Sequence, residues 1–415
     1  MKLVSTLALT AALVAGGFAA APAVSQSAKK GAAAAAAPAA PQRKLNFSKE
    51  ARNALLALQT AVKANAPDVQ QKLAAARLVA KNTDDKYFIA KMQLENALAL
   101  KDTAAQRAAV EAILASGGAL AAETATLNEY LAERSAEGGD YSGLEATYAA
   151  KLAANPNDVP SIVNLARAKM SLKKNDEALD LLQRAITLSK ASGKNGEESW
   201  YRNAVAMAHA QKKDAVAYEL AHETLKYYPN KDNFNNLIAL SQPLIAKDEE
   251  AYVDLLRLMQ LTGHMRGSTD YLRLAQHHDF NRNWGEAKTV LEAAAKAGKT
   301  SAAHSALLSK VSARIAADKA ALPTVEPKAR AAANGSLALS LASVYAGYQD
   351  YPKAVDLYQV ALQKGGVDAN LVNTRLAIVQ AMAGQRAEAA TTFRKVGGVR
   401  APVANLWLAW LAMNG

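Results

Sequence analysis

The chain has 415 residues, 51% hydrophobic and 21% charged, ample for a large core, and its lack of cysteine excludes disulfides, thiolate metal sites and cysteine nucleophiles. The formal charge is +12, but Lys2, Lys29, Lys30, Arg43 and Lys44 supply five of those charges within the first 44 residues, where no acid stands, which leaves +7 for the rest. That mild excess suits weak attraction to anionic polymers or lipid headgroups, and with no dense Lys/Arg stripe it gives nucleic-acid binding no support.

Residues 1–23 read MKLVSTLALTAALVAGGFAAAPA: one lysine, an apolar run, then small residues with Ala21-Pro22-Ala23 as an A-x-A cleavage site. This is the layout of a secretory signal peptide. Gly16, Gly17 and the Ala-rich end make a poor permanent membrane helix, and the cysteine needed for lipid anchoring is missing. The expected mature protein is periplasmic or secreted, from a Gram-negative bacterium, with no stable membrane span after cleavage. Residues 24–44 are an Ala/Pro/Lys-rich, low-complexity linker with no periodic apolar face.

From residue 45 onward, apolar and alanine positions recur at 3–4 spacing, and no run of alternating β-branched residues forms a strand pattern. The first helix is expected near NFSKEARNALLALQTAVKA with Ser48 as its N-cap. Residues 45–124 read as degenerate helix pairs, 125–301 as a repeat array, 302–334 as an irregular Pro-containing unit, 335–400 as a further pair of repeats and 401–415 as a capping helix.

The repeats align on LARAKMSLKKNDEALDLLQRAITL (165–188), LAQHHDFNRNWGEAKTVLEAAAKAG (274–298), SVYAGYQDYPKAVDLYQVALQKGG (343–366) and LAIVQAMAGQRAEAATTFRKV (376–396). Each places Leu-Ala or a small residue ahead of a second helix that opens on alanine. In spacing this resembles the tetratricopeptide repeat (TPR) family, whose unit has 34 residues. Counting from Gly335, Leu341, Ala342, Tyr345, Tyr351, Ala354, Tyr358 and Ala361 fall on positions 7, 8, 11, 17, 20, 24 and 27 of that unit. Counting from Ser268, Leu274, Ala275, Trp284, Ala287, Leu291 and Ala294 do the same, with His278 at position 11. Further units start at Ala125, Val159 and Asn370, and weaker ones near Glu198 and Lys231; Gly139 and Gly384 hold the glycine position, 15. The resemblance implies an all-α fold, an α-solenoid of stacked antiparallel helix pairs in a right-handed superhelix. Small residues at 8, 20 and 27 let the helices approach, and large ones at 7, 11 and 24 fill the gaps.

Two stretches depart from the pattern. ALPTVEPKARAAANG (321–335) would be the second helix of a unit starting at Ala302, yet Pro323 and Pro327 stand four apart in it, so that helix is expected to be broken or short, either a local irregularity or a hinge. The end, VANLWLAWLAMNG, puts Val403, Leu406, Trp407, Trp410 and Leu411 on one face, the pattern of a capping helix too short to span a bilayer.

Motifs that carry chemistry are incomplete. AGKTS (297–301) resembles the end of a phosphate-binding loop, but Ala293 stands where its first glycine belongs and a helix pattern precedes it. HETLK (222–226) has Lys226 where a zinc protease has its second histidine, and His277–His278 lacks a carboxylate at ligand spacing. We therefore expect no catalytic residues, no metal and no cofactor.

What remains is binding. The family's first helices line a groove with positions 2, 5, 9 and 12, which here implies Val163, Arg167 and Met170, then Arg202, Ala206 and His209, then Asn235 and Gln242, then Leu272, Gln276 and Asp279. The family's carboxylate-clamp residues are not matched by Val163 and Arg167. Arginines grip carboxylates well, so the expected partner of Arg167, Met170, Arg202, His209, Asn235, Gln276 and Asp279 is an acidic or C-terminal peptide, or a protein domain, in the cell envelope. The alternative is an anionic envelope polysaccharide or peptidoglycan. Of the four tyrosines between 345 and 358, three take packing positions and Tyr348 alone is left free to touch a ligand.

Overall fold

Helix starts are set by short polar side chains. Asn82, Asp102, Asp158, Asn230, Asp248, Asp350 and Asp368 each accept a backbone N–H from the turn that follows, each worth about 1 kcal/mol to its helix. The computed structural model describes residues 44–414, which contain twenty α-helices, a short 3-10 helix (Gly398–Arg400) and no strand. The expected signal peptide and nearly all of the linker lie outside the described residues. These residues form two compact units that divide after Lys174.

The first unit holds α1 (Arg52–Lys63), α2 (Val69–Val79), α3 (Thr83–Ala99), α4 (Thr103–Ala115), α5 (Ala121–Glu137), α6 (Ser142–Ala154) and α7 (Val159–Ser171). α1 pairs with α2, α3 with α4 and α5 with α6. Ser48 does not cap α1, whose N-cap is Ala51. Instead Ser48 donates from its backbone N (3.0 Å) and its hydroxyl (2.6 Å) to the buried Asp85. Burial pulls the Asp85 carboxyl upward, but these bonds and those from Lys81 and Asn82 hold it below its usual range.

The second unit holds α8 (Asn175–Ala191), α9 (Glu198–Ala210), α10 (Asp214–Tyr227), α11 (Lys231–Ile245), α12 (Glu249–Leu261), α13 (Ser268–Phe280), α14 (Trp284–Lys296), α15 (Ala302–Ala331), α16 (Ser336–Gly347), α17 (Tyr351–Lys364), α18 (Ala369–Met382), α19 (Arg386–Phe393) and α20 (Ala401–Met413). The pairs α9–α10, α13–α14, α16–α17 and α18–α19 follow the repeat pattern. Ala275, Ala287, Ala294, Ala342, Ala354 and Ala361, on positions 8, 20 and 27, are completely buried.

One turn recurs wherever a first helix meets a second. Position 15 has a positive φ in six repeats: Gly139 (92°), Lys173 (64°), Lys212 (58°), Arg282 (57°), Gln349 (63°) and Gly384 (80°). In each, the next residue's N–H closes back on the carbonyl five positions earlier at 2.8–3.0 Å, as Asn283 does on His278 and Asp350 on Tyr345. This is the Schellman end of a helix, kept even where the favoured glycine is replaced.

Two features differ from the expected pattern. α15 is one continuous helix of 30 residues, with Pro323 and Pro327 inside it, rather than a broken pair. Both prolines are exposed and, one turn apart, lie on the same side, away from the residues that α15 buries, and the helix continues through them. α15 buries only His304, Val311, Leu322 and Ala329, and α14 packs directly on α16, so the α13–α14 and α16–α17 pairs stack without it. The stack is tight there: a Cβ on Gly347 would lie 2.1 Å from Asn283 Oδ1.

The second difference concerns α12. By sequence it is the second helix of the α11 unit, but it touches α11 only lightly and contacts α13, α18 and α20 as well. It buries Ala251, Tyr252, Val253, Asp254, Leu255, Leu256, Leu258 and Met259, residues from every side of the helix. α20 caps α19 and extends beyond it onto α10, α11 and α12.

Candidate partner-binding face

The seven groove residues lie on four first helices. Arg167 and Met170 belong to α7 in the first unit; Arg202 and His209 (α9), Asn235 (α11), and Gln276 and Asp279 (α13) belong to the second. Arg202, His209 and Gln276 are exposed, and Met170, Asn235 and Asp279 are partly buried. Within each unit, among the described residues, no hydrogen bond or ion pair joins one of these side chains to another.

Several already have partners. Arg167, 49% exposed, donates through Nη2 to both carboxylate oxygens of Glu133 at 2.6 Å. Glu133 stands at the same repeat position one unit earlier, a signal present in the sequence as opposite charges 34 residues apart. Asp279 receives Lys310 Nζ from α15 at 2.6 Å, and His209 Nδ1 lies 3.5 Å from Asp214. Asn235 Oδ1 is enclosed with no hydrogen-bond partner.

Tyr348 is not free. It is half-buried, its hydroxyl donates to Asp318 of α15 at 2.6 Å, and Lys319 Nζ sits 4.8 Å from its ring centre. Burial and then the Asp318 charge push its hydroxyl well above the ordinary tyrosine value. Tyr345 donates to Glu326 at 3.0 Å, and burial together with that carboxylate raises it to about 12. Arg314 stacks over Trp284 at 5.3 Å. The aromatic cluster is thus the seat of α15.

The strongest electrostatic feature is one that sequence reasoning missed. Asp254, fully buried in α12, faces three arginines: Arg257 one turn along, Arg400 (Nη1 to Oδ2, 3.0 Å) and Arg375 (Nε to Oδ1, 3.7 Å). Arg257 also takes Glu286 through two nitrogens, at 2.6 and 2.8 Å. Burial pulls Glu286 upward, but Arg257 and His278 hold it well below the usual carboxylate range. Arg375 pairs with Glu250, whose contact with His277, reinforced by Arg375, brings it down to about 2. His278 is buried with Nε2 3.2 Å from Glu286 Oε1, without the alignment of a good hydrogen bond. Burial lowers its pKa, and Glu286 opposes that only in part. Acids and bases here neutralise one another around the buried Asp254, Arg400 and His278, with Glu250 at the partly exposed edge, so the cluster ties helices together.

The incomplete motifs have structural roles. In AGKTS, Gly298 closes the end of α14 at φ 66°, Lys299 Nζ donates to the Met265 carbonyl, and Ser301 forms a capping box with His304. His222 stacks on Tyr218 with ring centres 6.1 Å apart. Among the described residues no three His, Asp or Glu side chains converge to hold a metal, and no helix is long and apolar enough to cross a membrane.

No family model matches the chain, and no curated protein matches it. Similarity is found to solved structures. The TPR2AB domain of yeast Sti1, in complex with pHSP90, is 14% identical over 70% of this chain and 95% of that one, with a TM-score of 0.27. The structure of Naa15/Naa10 bound to HypK-THB is 14% identical over 83% of this chain and 62% of that one, TM-score 0.29. A tetratricopeptide repeat protein from Parabacteroides merdae is 16% identical over 68% of this chain and 98% of that one, TM-score 0.23. At these identities and TM-scores no partner or activity passes from those proteins to this chain.

Proposed function

We propose that this chain is an exported, non-enzymatic scaffold that holds a peptide or protein partner in the cell envelope along the exposed face of its first helices. One observation carries the reading: on α9 and α13, Arg202, His209 and Gln276 stand exposed while alanines of the same helices are fully closed in the core. Of the three, His209 rests 3.5 Å from Asp214, while Arg202 and Gln276 stand exposed beside those alanines. An exposed guanidinium favours a carboxylate-bearing ligand, and the Arg167–Glu133 contact is an example of that chemistry within the chain. Export is inferred from the layout of residues 1–23, and the non-enzymatic role from a titratable cluster whose acids and bases are paired with one another.

The test is crosslinking in the native envelope followed by capture of the full chain, repeated with Arg202→Ala and Arg167→Ala. A defined protein recovered with the wild type and lost in the variants supports the scaffold. Binding of envelope glycan that falls steeply with salt, yet ignores either single change, replaces the reading with the polysaccharide alternative. N-terminal sequencing of the purified protein tests export: a start near residue 24 is expected, and an intact Met1 in the cytoplasm overturns it.

A further inference from the structure

The helices α8 and α9 are joined by SGKNGE, residues 192–197, in which Ser192, Gly193, Lys194 and Asn195 are all exposed. The turn is held as far as Lys194, whose N–H closes onto the Ser189 carbonyl at 3.0 Å, with Gly193 at φ 74°. There the main-chain bonding stops. Among the described residues neither the Asn195 nor the Gly196 N–H has a hydrogen-bond partner, and the Asn195 side-chain amide has none either. Gly196 is held by its carbonyl instead, which accepts from the Tyr228 hydroxyl.

Asparagine followed by glycine is a reactive pair. The glycine nitrogen, with no side chain beside it, can attack the asparagine side-chain carbonyl carbon, and glycine has the backbone freedom that the resulting ring needs. The same dipeptide stands at Asn334–Gly335, between α15 and α16, and the fold treats the two oppositely. The Gly335 N–H donates to the Gly365 carbonyl at 2.8 Å, and Asn334 Oδ1 accepts the Ser336 N–H at 3.0 Å. Gly335 is also walled in by main chain: an added Cβ would lie 2.3 Å from the Ala361 carbonyl oxygen. Gly196 is buried too, but what an added Cβ would meet there, at 2.9 Å, is the ring of Trp200, a partly exposed side chain. Attack by the Gly335 nitrogen must first break a main-chain bond inside a packed joint. Attack by the Gly196 nitrogen need not.

We propose that Asn195 is a site of spontaneous deamidation in the native protein, and that the fold protects Asn334. The Gly196 nitrogen bonds to Asn195 Cγ, the Cγ–Nδ2 bond breaks, and the glycine amide proton leaves with Nδ2 as ammonia. Water then opens the cyclic imide. Cleavage of the new N–Cγ bond leaves aspartate; cleavage of the original peptide bond leaves isoaspartate, whose main chain is one carbon longer. Either product adds a negative charge just ahead of Glu197, the N-cap of α9. Isoaspartate also lengthens the chain beside the glycine that Tyr228 holds. The change therefore falls at the entry to the helix that carries Arg202 and His209.

The test is incubation of the purified full chain in mildly alkaline buffer, which favours loss of the glycine amide proton. Peptide mapping by mass spectrometry, with fragmentation that separates isoaspartate from aspartate, gives the readout. Asn195 should convert to a mixture of the two products at least tenfold faster than Asn334. A tenfold ratio is about 1.4 kcal/mol in barrier, the size of one net hydrogen bond. In denaturant the two sites should convert at similar rates, since each precedes glycine. Asn195→Gln should remove the fast acidic shift seen on isoelectric focusing and leave conversion at Asn334 as slow as before. Equal conversion at the two sites in the folded chain overturns the proposal, as does an Asn195 that keeps its amide while the denatured chain loses it. A denatured chain in which Asn334 stays slow overturns protection by the fold.

Discussion

The Tyr348 hydroxyl donates to Asp318 across 2.6 Å, joining the end of α16 to the middle of α15 thirty residues earlier. With Tyr345–Glu326 at 3.0 Å and Lys319 over the Tyr348 ring, it holds a 30-residue helix that buries few side chains of its own. Tyr348→Phe removes one bond to a charged acceptor and should lower stability by about 1–2 kcal/mol. Equilibrium denaturation measures this, and hydrogen exchange across 315–330 should quicken. Unchanged values in both would mean that Val311, Leu322 and Ala329 hold α15 alone.

Gly347 tests the close stacking of the α13–α14 and α16–α17 pairs. An added methyl would lie 2.1 Å from Asn283 Oδ1 and 2.9 Å from the Glu286 backbone N. One of these is main chain, so relaxation is limited, and Gly347→Ala should cost about 1–3 kcal/mol. A melting temperature equal to wild type would show that the pairs can part without penalty.

The recurring left-handed turn predicts opposite signs at equivalent positions. Arg282 holds φ 57° and Gly384 φ 80°, both at position 15. A side chain in this region costs about 1–2 kcal/mol, offset in part by glycine's greater unfolded-state freedom. Arg282→Gly should stabilise by up to about 1 kcal/mol and Gly384→Ala should destabilise by a similar amount. Urea midpoints that move the same way in both variants would refute the shared geometry.

His278 gives the second unit an acid-sensitive term. It faces Glu286 on α14, Arg257 on α12 and His277 beside it, and burial lowers its pKa below 6.5. The unfolded chain then binds the proton more readily than the folded one. The contribution is complete above pH 6.5 and is lost as pH falls from there toward the folded value. Melting temperature should therefore drop between pH 7 and pH 5, and His278→Gln should flatten the slope. Flattening will be partial, because burial also lowers His222 and His264. An identical slope in the variant would remove His278 from the account.

Glu133 occupies the arginine that a carboxylate ligand would need. Glu133→Gln weakens the Arg167 contact in an exposed pair worth about 0–1 kcal/mol, so stability should hardly change. Affinity of the full chain for a fluorescent peptide ending in acidic residues should rise two- to fivefold. No gain, in a variant with wild-type melting, would argue against Arg167 as a ligand contact.

The fold was legible where a residue's role is set by neighbours at fixed spacing. Ala275, Ala287 and Ala294 announce helix contacts because nothing larger fits, and they are fully buried. The turn at Arg282 was not legible as a glycine position, because the backbone bond from Asn283 to His278 preserves the conformation after the side chain has changed. The prolines of α15 misled because their cost depends on which side of the helix they face, and that is decided by packing. On the candidate face, the register implied by the family resemblance put Arg202 and Gln276 on helix surface that is exposed. It could not reveal the Asp254 cluster, whose arginines at 375 and 400 have no local relation to it.

That separation also bears on how the protein comes together. Asp254 and Arg400 are 146 residues apart, so a growing or refolding chain reaches residue 254 long before its counter-charge exists. In the interval, a helix that the folded protein buries from every side has both its apolar residues and its Asp254 carboxylate without partners, and loop closure over such a distance is slow. Folding of the second unit should therefore leave α12 open to chaperones and proteases until the chain near residue 400 arrives, which places the most vulnerable moment of assembly in the middle of the sequence.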